Sequence, residues 1–346
     1  MNRSLLSALA GDDEIETLLA DVAQVASMVR VELALAQASA DAGFIAGAAA
    51  EAIAAGLKGF APDWDDLAAG MARDGVVVPA LVGQMRRCIA APHADALHKG
   101  ATSQDIIDTA LVLQLGAVIA VLVARLTDLL DGLGRISGQH GTRPLMAHTR
   151  MQQALPFTLG EKLATWIAPL QRHLAGLQAV RRSLLVVQLG GPIGDRSSFG
   201  THGDAIARGL ARQLDLGLAE PWHAARDPLV GFASLLALLT GTLGKIGMDV
   251  GLMAQNEVAA VTITGGGGSS AMAHKSNPVN AEVLVSLARY NAGLAGTMQQ
   301  AMVHENERSG AAWTLEWLTL PQIVVTAGAS LRLARALVGQ LSFPAA

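Results

Sequence analysis

The sequence predicts an all-α protein built as an elongated bundle of long helices. Long stretches contain no proline, alanine and leucine recur at helical spacing, and the alternating β-branched residues of strands are scarce. The chain is also very apolar, since 51% of its 346 residues are hydrophobic and only 16% are charged. Long helices that cover one another, within a chain and between chains, account for this balance.

The individual elements follow from the same pattern in chain order. Residues 22–57 contain no proline and predict helix, whereas residues 61–79 are broken by prolines and glycines and predict short elements. Further helices are predicted over residues 104–137, 158–187 with a kink at Pro169, 229–261 and 282–304. We expect a small N-terminal helical domain, a central bundle and a short tail over residues 1–100, 101–335 and 336–346.

Composition and charge argue against several kinds of partner. The longest uncharged runs, residues 109–124 and 228–244, are shorter than the roughly 20 apolar residues of a membrane span, so no membrane segment is expected. The net charge of −4 without basic runs argues against nucleic acid. The N-terminus turns acidic before an export signal develops, and Cys88 is the single cysteine, which fits a cytoplasmic protein.

Three polar segments interrupt the apolar background, and the first covers residues 98–105. Gly100 breaks the preceding structure, and Thr102 or Ser103 can cap a helix that begins near Gln104. The same hydroxyls and the free N–H groups of a helix start can instead bind a carboxylate. Because capping is so common, this segment alone favours the cap.

The second polar segment covers residues 147–156. His148, Thr149, Arg150 and Gln152 place a titratable ring, a fixed cation and two hydrogen-bonding side chains within five positions. A lone histidine is more often structural than catalytic. Arginine, by contrast, can bind a carboxylate with two parallel hydrogen bonds at any physiological pH.

The third polar segment, residues 265–282, begins with four consecutive glycines, which are costly to order in a helix or strand. It is either a flexible surface loop or a mobile lid. The dense polar sequence SSAMAHKSNP that follows favours a lid, whose N–H groups can bind an anion and whose closure excludes water.

Together the three segments resemble the signature regions of the fumarase/aspartase superfamily. Residues 268–278 are similar to its GSSxMPxKxNP loop, residues 98–109 to its HxGxTSxDxxDT region, and residues 147–162 to its GRTHxQxAxPxTxGxK region. The resemblance implies a homotetramer in which three subunits contribute the three regions to each active site. It also implies chemistry on a small carboxylate substrate through a carboxylate-stabilised carbanion, with no metal or cofactor.

The resemblance carries roles to individual residues. It implies catalytic roles for two residues of the loop, Ser269 and Lys275. We add His148 as a reserve acid, because histidine is the usual proton shuttle near neutral pH, although its position in the motif argues against this role. We expect substrate contacts from residues of the three similar regions, namely His98, Thr102, Ser103, Thr149, Gln152, Ser270 and Asn277. Two arginines, Arg150 and Arg308, are further candidates because they can bind substrate carboxylates.

Departures from the superfamily pattern narrow the branch. Arg150 stands where lyases of the superfamily have a histidine, and arginine is a poor proton shuttle because its pKa exceeds about 12. His148 takes the place of the usual arginine, and Ala273 that of a proline. The chain also stops soon after the last bundle helix, so we expect the superfamily's C-terminal domain to be reduced or absent.

Further segments resemble the 3-carboxy-cis,cis-muconate cycloisomerase branch, namely residues 187–194, 221–223, 272–275 and 304–317. This branch implies that a carboxylate of a tricarboxylate substrate adds across its own double bond, giving 4-carboxymuconolactone in aromatic catabolism. One alternative is an adenylosuccinate-lyase-like enzyme or another lyase of the superfamily, against which Arg150 counts. The other is a non-catalytic structural homologue, against which the intact polar loop counts.

Overall fold

The computed structural model describes residues 4–268, 271–272 and 275–343. Within these ranges the helices are α1 (Leu5–Ala10), α2 (Asp13–Leu19), α3 (Asp21–Asp41), α4 (Gly47–Gly56), α5 (Trp64–Asp74), α6 (Val78–Arg87), α7 (Ser103–His140), α8 (Leu159–Leu184), α9 (Gly203–Leu214), α10 (Asp227–Met253), α11 (Val279–Ala301) and α12 (Gly310–Gly339). The strands are β1 (Pro144–Thr149), β2 (Gln152–Thr158), β3 (Thr262–Ile263) and β4 (Leu341–Ser342), and 3-10 turns lie at His93–Ala96 and Ser197–His202. The predicted all-α class is confirmed.

Five long helices, α7, α8, α10, α11 and α12, form the central bundle. Large apolar side chains spaced seven residues apart form its core, as they do in coiled coils. On α7 these are Leu115, Leu122 and Leu129, and on α10 they include Leu236 and Leu243, all at most 1% exposed. Each such side chain contributes roughly 1.5–3 kcal/mol when it is removed from water.

A second apolar cluster joins the N-terminal helices to α9 and to the first turns of α7. Met28, Ile53, Leu81 and Ile206 are fully buried there, together with Ile106 of α7. Because α7 contributes to both clusters, it connects the small N-terminal part to the bundle. The division at residue 100 remains our proposal for the domain boundary.

The contacts between helices fix two opposite ends of the bundle. Asp108, near the start of α7, bonds to Arg226, which immediately precedes α10, and to Trp313 near the start of α12. We call this the Asp108 end. β4, which follows α12, pairs with β3 in the segment after α10, and the β1–β2 hairpin connects α7 to α8. These elements define the hairpin end.

Several helix boundaries differ from the sequence-based expectation. The span 22–57 is two helices, because Gly43 adopts a left-handed φ of 78° after α3. The helix predicted over 229–261 ends at Met253, whose carbonyl accepts hydrogen bonds from the N–H groups of Ala260 and Val261. The helix predicted from Gln104 is confirmed and begins at Ser103.

Two long apolar helices, α7 and α10, contain the uncharged runs that the sequence analysis compared with a membrane span. α7 and α10 extend beyond the uncharged runs, so both are long and apolar enough to cross a membrane by length and composition. The expectation that they are too short is therefore wrong. Yet 61% and 56% of their most apolar windows are buried inside the bundle, as in the core helices of a soluble protein.

Candidate active site

The first polar segment lies at the Asp108 end, at the start of α7. Thr102 is the N-cap, and its N–H donates to Oδ2 of Asp105 over 3.0 Å. Asp105 is 1% exposed and also accepts from the N–H groups of residues 190–191 and lies 2.9 Å from Nε2 of His223. This buried carboxylate fixes the helix start, while Thr102 and Ser103 stay half-buried at the surface.

Gly100 is required by the geometry of this segment. Its φ is 82°, and a Cβ there would lie 2.7 Å from the ring of Phe199. The Oγ of Ser198 donates to the carbonyl of Gly100 over 2.6 Å. The tight turn therefore holds the segment against the 3-10 turn at Ser197–His202 just before the helix begins.

His98 lies in the same segment and contacts a residue that the sequence did not single out. Its Nδ1 is 2.5 Å from Oε1 of Glu32, on α3. Burial acts to lower the pKa of His98, but the hydrogen bond and the charge of Glu32 outweigh it, so the pKa is raised above 6.5. The only sequence signal for Glu32 is an acidic residue within an apolar helical stretch.

Arg308 also lies at the Asp108 end. Its Nε donates to Oε1 of Gln104 over 2.9 Å, and its Nη2 donates to the carbonyl of Pro192 over 3.2 Å. Gln104 is 1% exposed, and its Nε2 donates to Oδ2 of Asp108 and to the carbonyl of His223. The guanidinium is thus bonded to the residue that follows Ser103, which places Arg308 at the start of α7.

A buried ionic cluster supports this end of the bundle. Arg226 is 0% exposed and binds Asp108 through two hydrogen bonds of 2.6 and 3.0 Å and Glu316 through two of 2.8 and 2.7 Å. Burial acts to lower the pKa of Arg226, but the two carboxylates outweigh burial and hold the pKa above its usual value. His304 lies 3.2 Å from Oε1 of Glu316. Arg226 was not recognised from the sequence, and Glu316 was recognised only as part of the similar segment 304–317.

The second polar segment forms the β1–β2 hairpin at the opposite end. Thr149 pairs with Gln152, and the two turn residues, Arg150 and Met151, both adopt left-handed φ values of 49° and 66°. The side chains of His148, Thr149, Arg150 and Gln152 are all exposed. The hairpin was not predicted, because its exposed strands lack the apolar alternation that packing against a core requires.

The third polar segment is closed at its base by a short backbone pairing. Gly267 and Asn277 exchange hydrogen bonds of 2.9 and 2.8 Å, and Nδ2 of Asn277 donates to the carbonyl of Gly268 over 3.4 Å. Lys275 is exposed. Ser269 and Ser270, the predicted catalytic serine and its neighbour, lie outside the described residues.

The structure therefore groups the predicted residues into two sets. His98, Thr102, Ser103 and Arg308 lie at the Asp108 end, whereas the hairpin residues and the base of the loop lie at the hairpin end. α7 alone has 38 residues and spans about 57 Å between them. Within the described residues, one chain does not bring the two sets together.

The described part of the chain contains no group of three or more His, Cys, Asp or Glu side chains placed to hold a metal ion.

Among the predicted site residues the charged side chains are cationic: Arg150, Lys275 and Arg308, with His98 beside Glu32. Such a set suits a substrate that carries several carboxylates.

A bundle of five long helices that carries these three polar regions is typical of one class of enzymes, the fumarase/aspartase superfamily. The chain belongs to this superfamily, whose lyase family model matches residues 15–292. The chain is 38% identical to the 3-carboxy-cis,cis-muconate cycloisomerase of Acinetobacter baylyi, over 94% of this chain and 74% of that protein. It is 38% identical to the enzyme of the same name from Pseudomonas putida, over 100% of this chain and 84% of that protein. The crystal structure of the 3-carboxy-cis,cis-muconate lactonizing enzyme from Pseudomonas putida superposes with a TM-score of 0.92 at 38% identity, covering 99% of this chain and 77% of that one.

Proposed function

We propose that the protein is a 3-carboxy-cis,cis-muconate cycloisomerase that forms 4-carboxymuconolactone by intramolecular addition. The observation that carries this proposal is the similarity to cycloisomerases over nearly the whole chain, at 38% identity and a TM-score of 0.92. The presence of Arg150 in place of the histidine used by lyases of the superfamily supports the same branch.

The chemistry needs little from the protein beyond positioning, charge and one proton. A carboxylate oxygen of the substrate attacks its own conjugated double bond, so the nucleophile is already tethered and proximity lowers much of the barrier. The carbon next to a second carboxylate then takes a proton. Three substrate carboxylates are matched by three fixed cations, Arg150, Lys275 and Arg308.

The proposed roles of the other residues follow from their placement. Thr102 and Ser103 offer hydroxyls to a substrate carboxylate at the N-terminus of α7, where the helix dipole favours negative charge. Ser269 delivers the proton, Lys275 assists it, and His148 is the reserve acid. Asn277 holds the base of the loop and orients it over the substrate.

We further propose that the active protein is a cytoplasmic homotetramer whose sites are each shared by three subunits. Two observations support sharing. The two sets of site residues lie at opposite ends of one chain, and the hairpin exposes apolar side chains that no described part of the chain covers. Met146, Met151 and Leu155 are 41%, 76% and 73% exposed, and Leu238 on α10 is 64% exposed. Apolar surface of this kind marks contacts between proteins.

An absorbance assay tests the proposed function. Addition of the purified protein to 3-carboxy-cis,cis-muconate is expected to remove the ultraviolet absorbance of the conjugated diene and to form the lactone. Release of fumarate from adenylosuccinate, without that loss, would instead establish a lyase. Inactivity with both substrates would favour a non-catalytic homologue.

Two serine variants test the role of Ser269 in the same assay. Ser269→Ala is expected to lose nearly all turnover. The control is Ser183→Ala, the same change on the exposed end of α8, which is expected to retain the wild-type rate. Full activity of Ser269→Ala would remove Ser269 from the proton-transfer role.

A further inference from the structure

A carboxylate buried beneath the first polar segment has an incomplete set of partners. The side chain of Glu32 is 0% exposed, and its Oε1 lies 2.5 Å from Nδ1 of His98. Among the described residues its Oε2 has no hydrogen-bond partner. Burying a carboxylate with so few partners is costly, so the charge is stable there only if His98 balances it.

His98 is held for this contact in an uncommon conformation. Its φ is 63°, a left-handed value that non-glycine residues seldom adopt and that is concentrated at functional sites. The ring is 16% exposed, four residues before the N-cap Thr102. Because Glu32 occupies Nδ1, the nitrogen left for a ligand is Nε2.

The other charged groups around the ring have smaller effects. Asp105 favours the charged ring and Arg86 disfavours it, while burial favours the neutral form. The hydrogen bond and charge of Glu32 turn the balance, so the pKa of His98 lies above its ordinary value. The carboxyl group of Glu32 and the ring of His98 therefore act as one hydrogen-bonded pair beneath the first polar segment.

We propose that Glu32 is a positioning residue that keeps His98 as an imidazolium, so that Nε2–H donates a charge-assisted hydrogen bond to a substrate carboxylate. This proposal rests on the proposed function, since it supplies a fourth positive group to a substrate with three carboxylates. A purely structural role for Glu32, tying α3 to the first polar segment, would leave the affinity for substrate independent of the charge on His98.

The protonation of His98 can be measured without activity. In protein labelled with ¹³C-histidine, the signal of His98 is identified by its absence in His98→Asn, and its chemical shift is followed against pH. The wild-type midpoint is expected above the ordinary value of about 6.5, and Glu32→Gln should lower it to or below that value. Glu51→Gln, the same change on an exposed carboxylate of α4, is expected to leave it unchanged.

Kinetics then tests the link to substrate. In Glu32→Gln, KM at pH 7.5 is expected to rise about tenfold, because the neutral ring no longer donates a charge-assisted hydrogen bond to the substrate, while kcat changes much less. Because the wild-type ring stays charged to higher pH, its KM should rise only above the raised midpoint, whereas that rise should begin at lower pH in the variant. Glu32→Asp, which keeps the charge, should restore part of the affinity.

The outcomes separate this proposal from the proposed function. A wild-type midpoint at or below about 6.5, or a midpoint and KM profile that Glu32→Gln leaves unchanged, would overturn the role of Glu32. The wild-type titration decides this even if the variant fails to fold. A wild-type protein with a raised midpoint but no turnover of 3-carboxymuconate would overturn the proposed function and the substrate contact, but not the pairing itself.

Discussion

Replacement of Arg226 tests whether the buried ionic cluster stabilises the Asp108 end. Arg226→Met keeps most of the side-chain volume and the contact with Trp222, whose ring lies 4.8 Å from the guanidinium carbon. It removes four hydrogen bonds of 2.6–3.0 Å to Asp108 and Glu316. Two carboxylates, 0% and 1% exposed, then remain without their cation.

The expected loss is large relative to the stability of a folded protein. Removal of one partner from a buried ion pair typically costs about 3–5 kcal/mol, because the remaining charge is left without compensation. Native proteins are stable by only about 5–15 kcal/mol, so about a fifth or more of the free energy of unfolding is at stake. Arg226→Met/Asp108→Asn should recover part of the loss, since it removes one of the two uncompensated charges.

Urea unfolding followed by circular dichroism measures these differences in the free energy of unfolding. The matched control is Arg73→Met, because Arg73 is also bonded to a carboxylate, Asp74, but its side chain is 65% exposed. We expect no measurable loss there, since exposed ion pairs contribute little. A loss in Arg226→Met no larger than in Arg73→Met would refute the role given to the cluster.

Three further changes test other parts of the structure. Gly100→Ala should lower the free energy of unfolding by more than about 1 kcal/mol. The control is Gly59→Ala, which also has a left-handed φ but has no atom within 4 Å of the added Cβ, and its loss should be smaller. Equal losses of both variants in urea unfolding would contradict the clash with Phe199. Burial acts to raise the pKa of Asp249. Hydrogen bonds from Lys245, Trp166 and Lys162 outweigh burial, so the pKa lies below 3.8. Asp249→Asn should therefore be less stable than wild type at pH 7 and converge with it as the pH falls below 3.8, and a difference independent of pH in thermal unfolding would argue against this. Arg150→Ala should raise KM about tenfold or more without changing the melting temperature, and unchanged KM and turnover would remove Arg150 from the site.

The sequence was sufficient for features that depend on neighbouring residues. The cap at Thr102 and the long helix that follows it depend on local backbone preferences. The three polar regions were recognisable because their residue types recur at fixed short spacing. These regions and the helical pattern were enough to predict the superfamily and the bundle.

The remaining features depend on long-range packing. Arg226 contacts Asp108 across 118 positions and Glu316 across 90, so no local pattern connects these residues. Glu32 and His98 are 66 positions apart for the same reason. The separation of the polar regions into two ends follows from the direction of each helix, which only the assembled bundle fixes.

The central claim is that residues from the two ends act in one site through different subunits. At substrate concentrations well below KM, Arg150→Ala and Arg308→Ala are each expected to keep about a tenth of wild-type turnover or less, and the two variants are then unfolded together and refolded as a 1:1 mixture. A site receives an intact hairpin with a chance of about one half and an intact Arg308 with the same chance, so about a quarter of wild-type turnover should return. A mixture no more active than the two variants alone would contradict the claim.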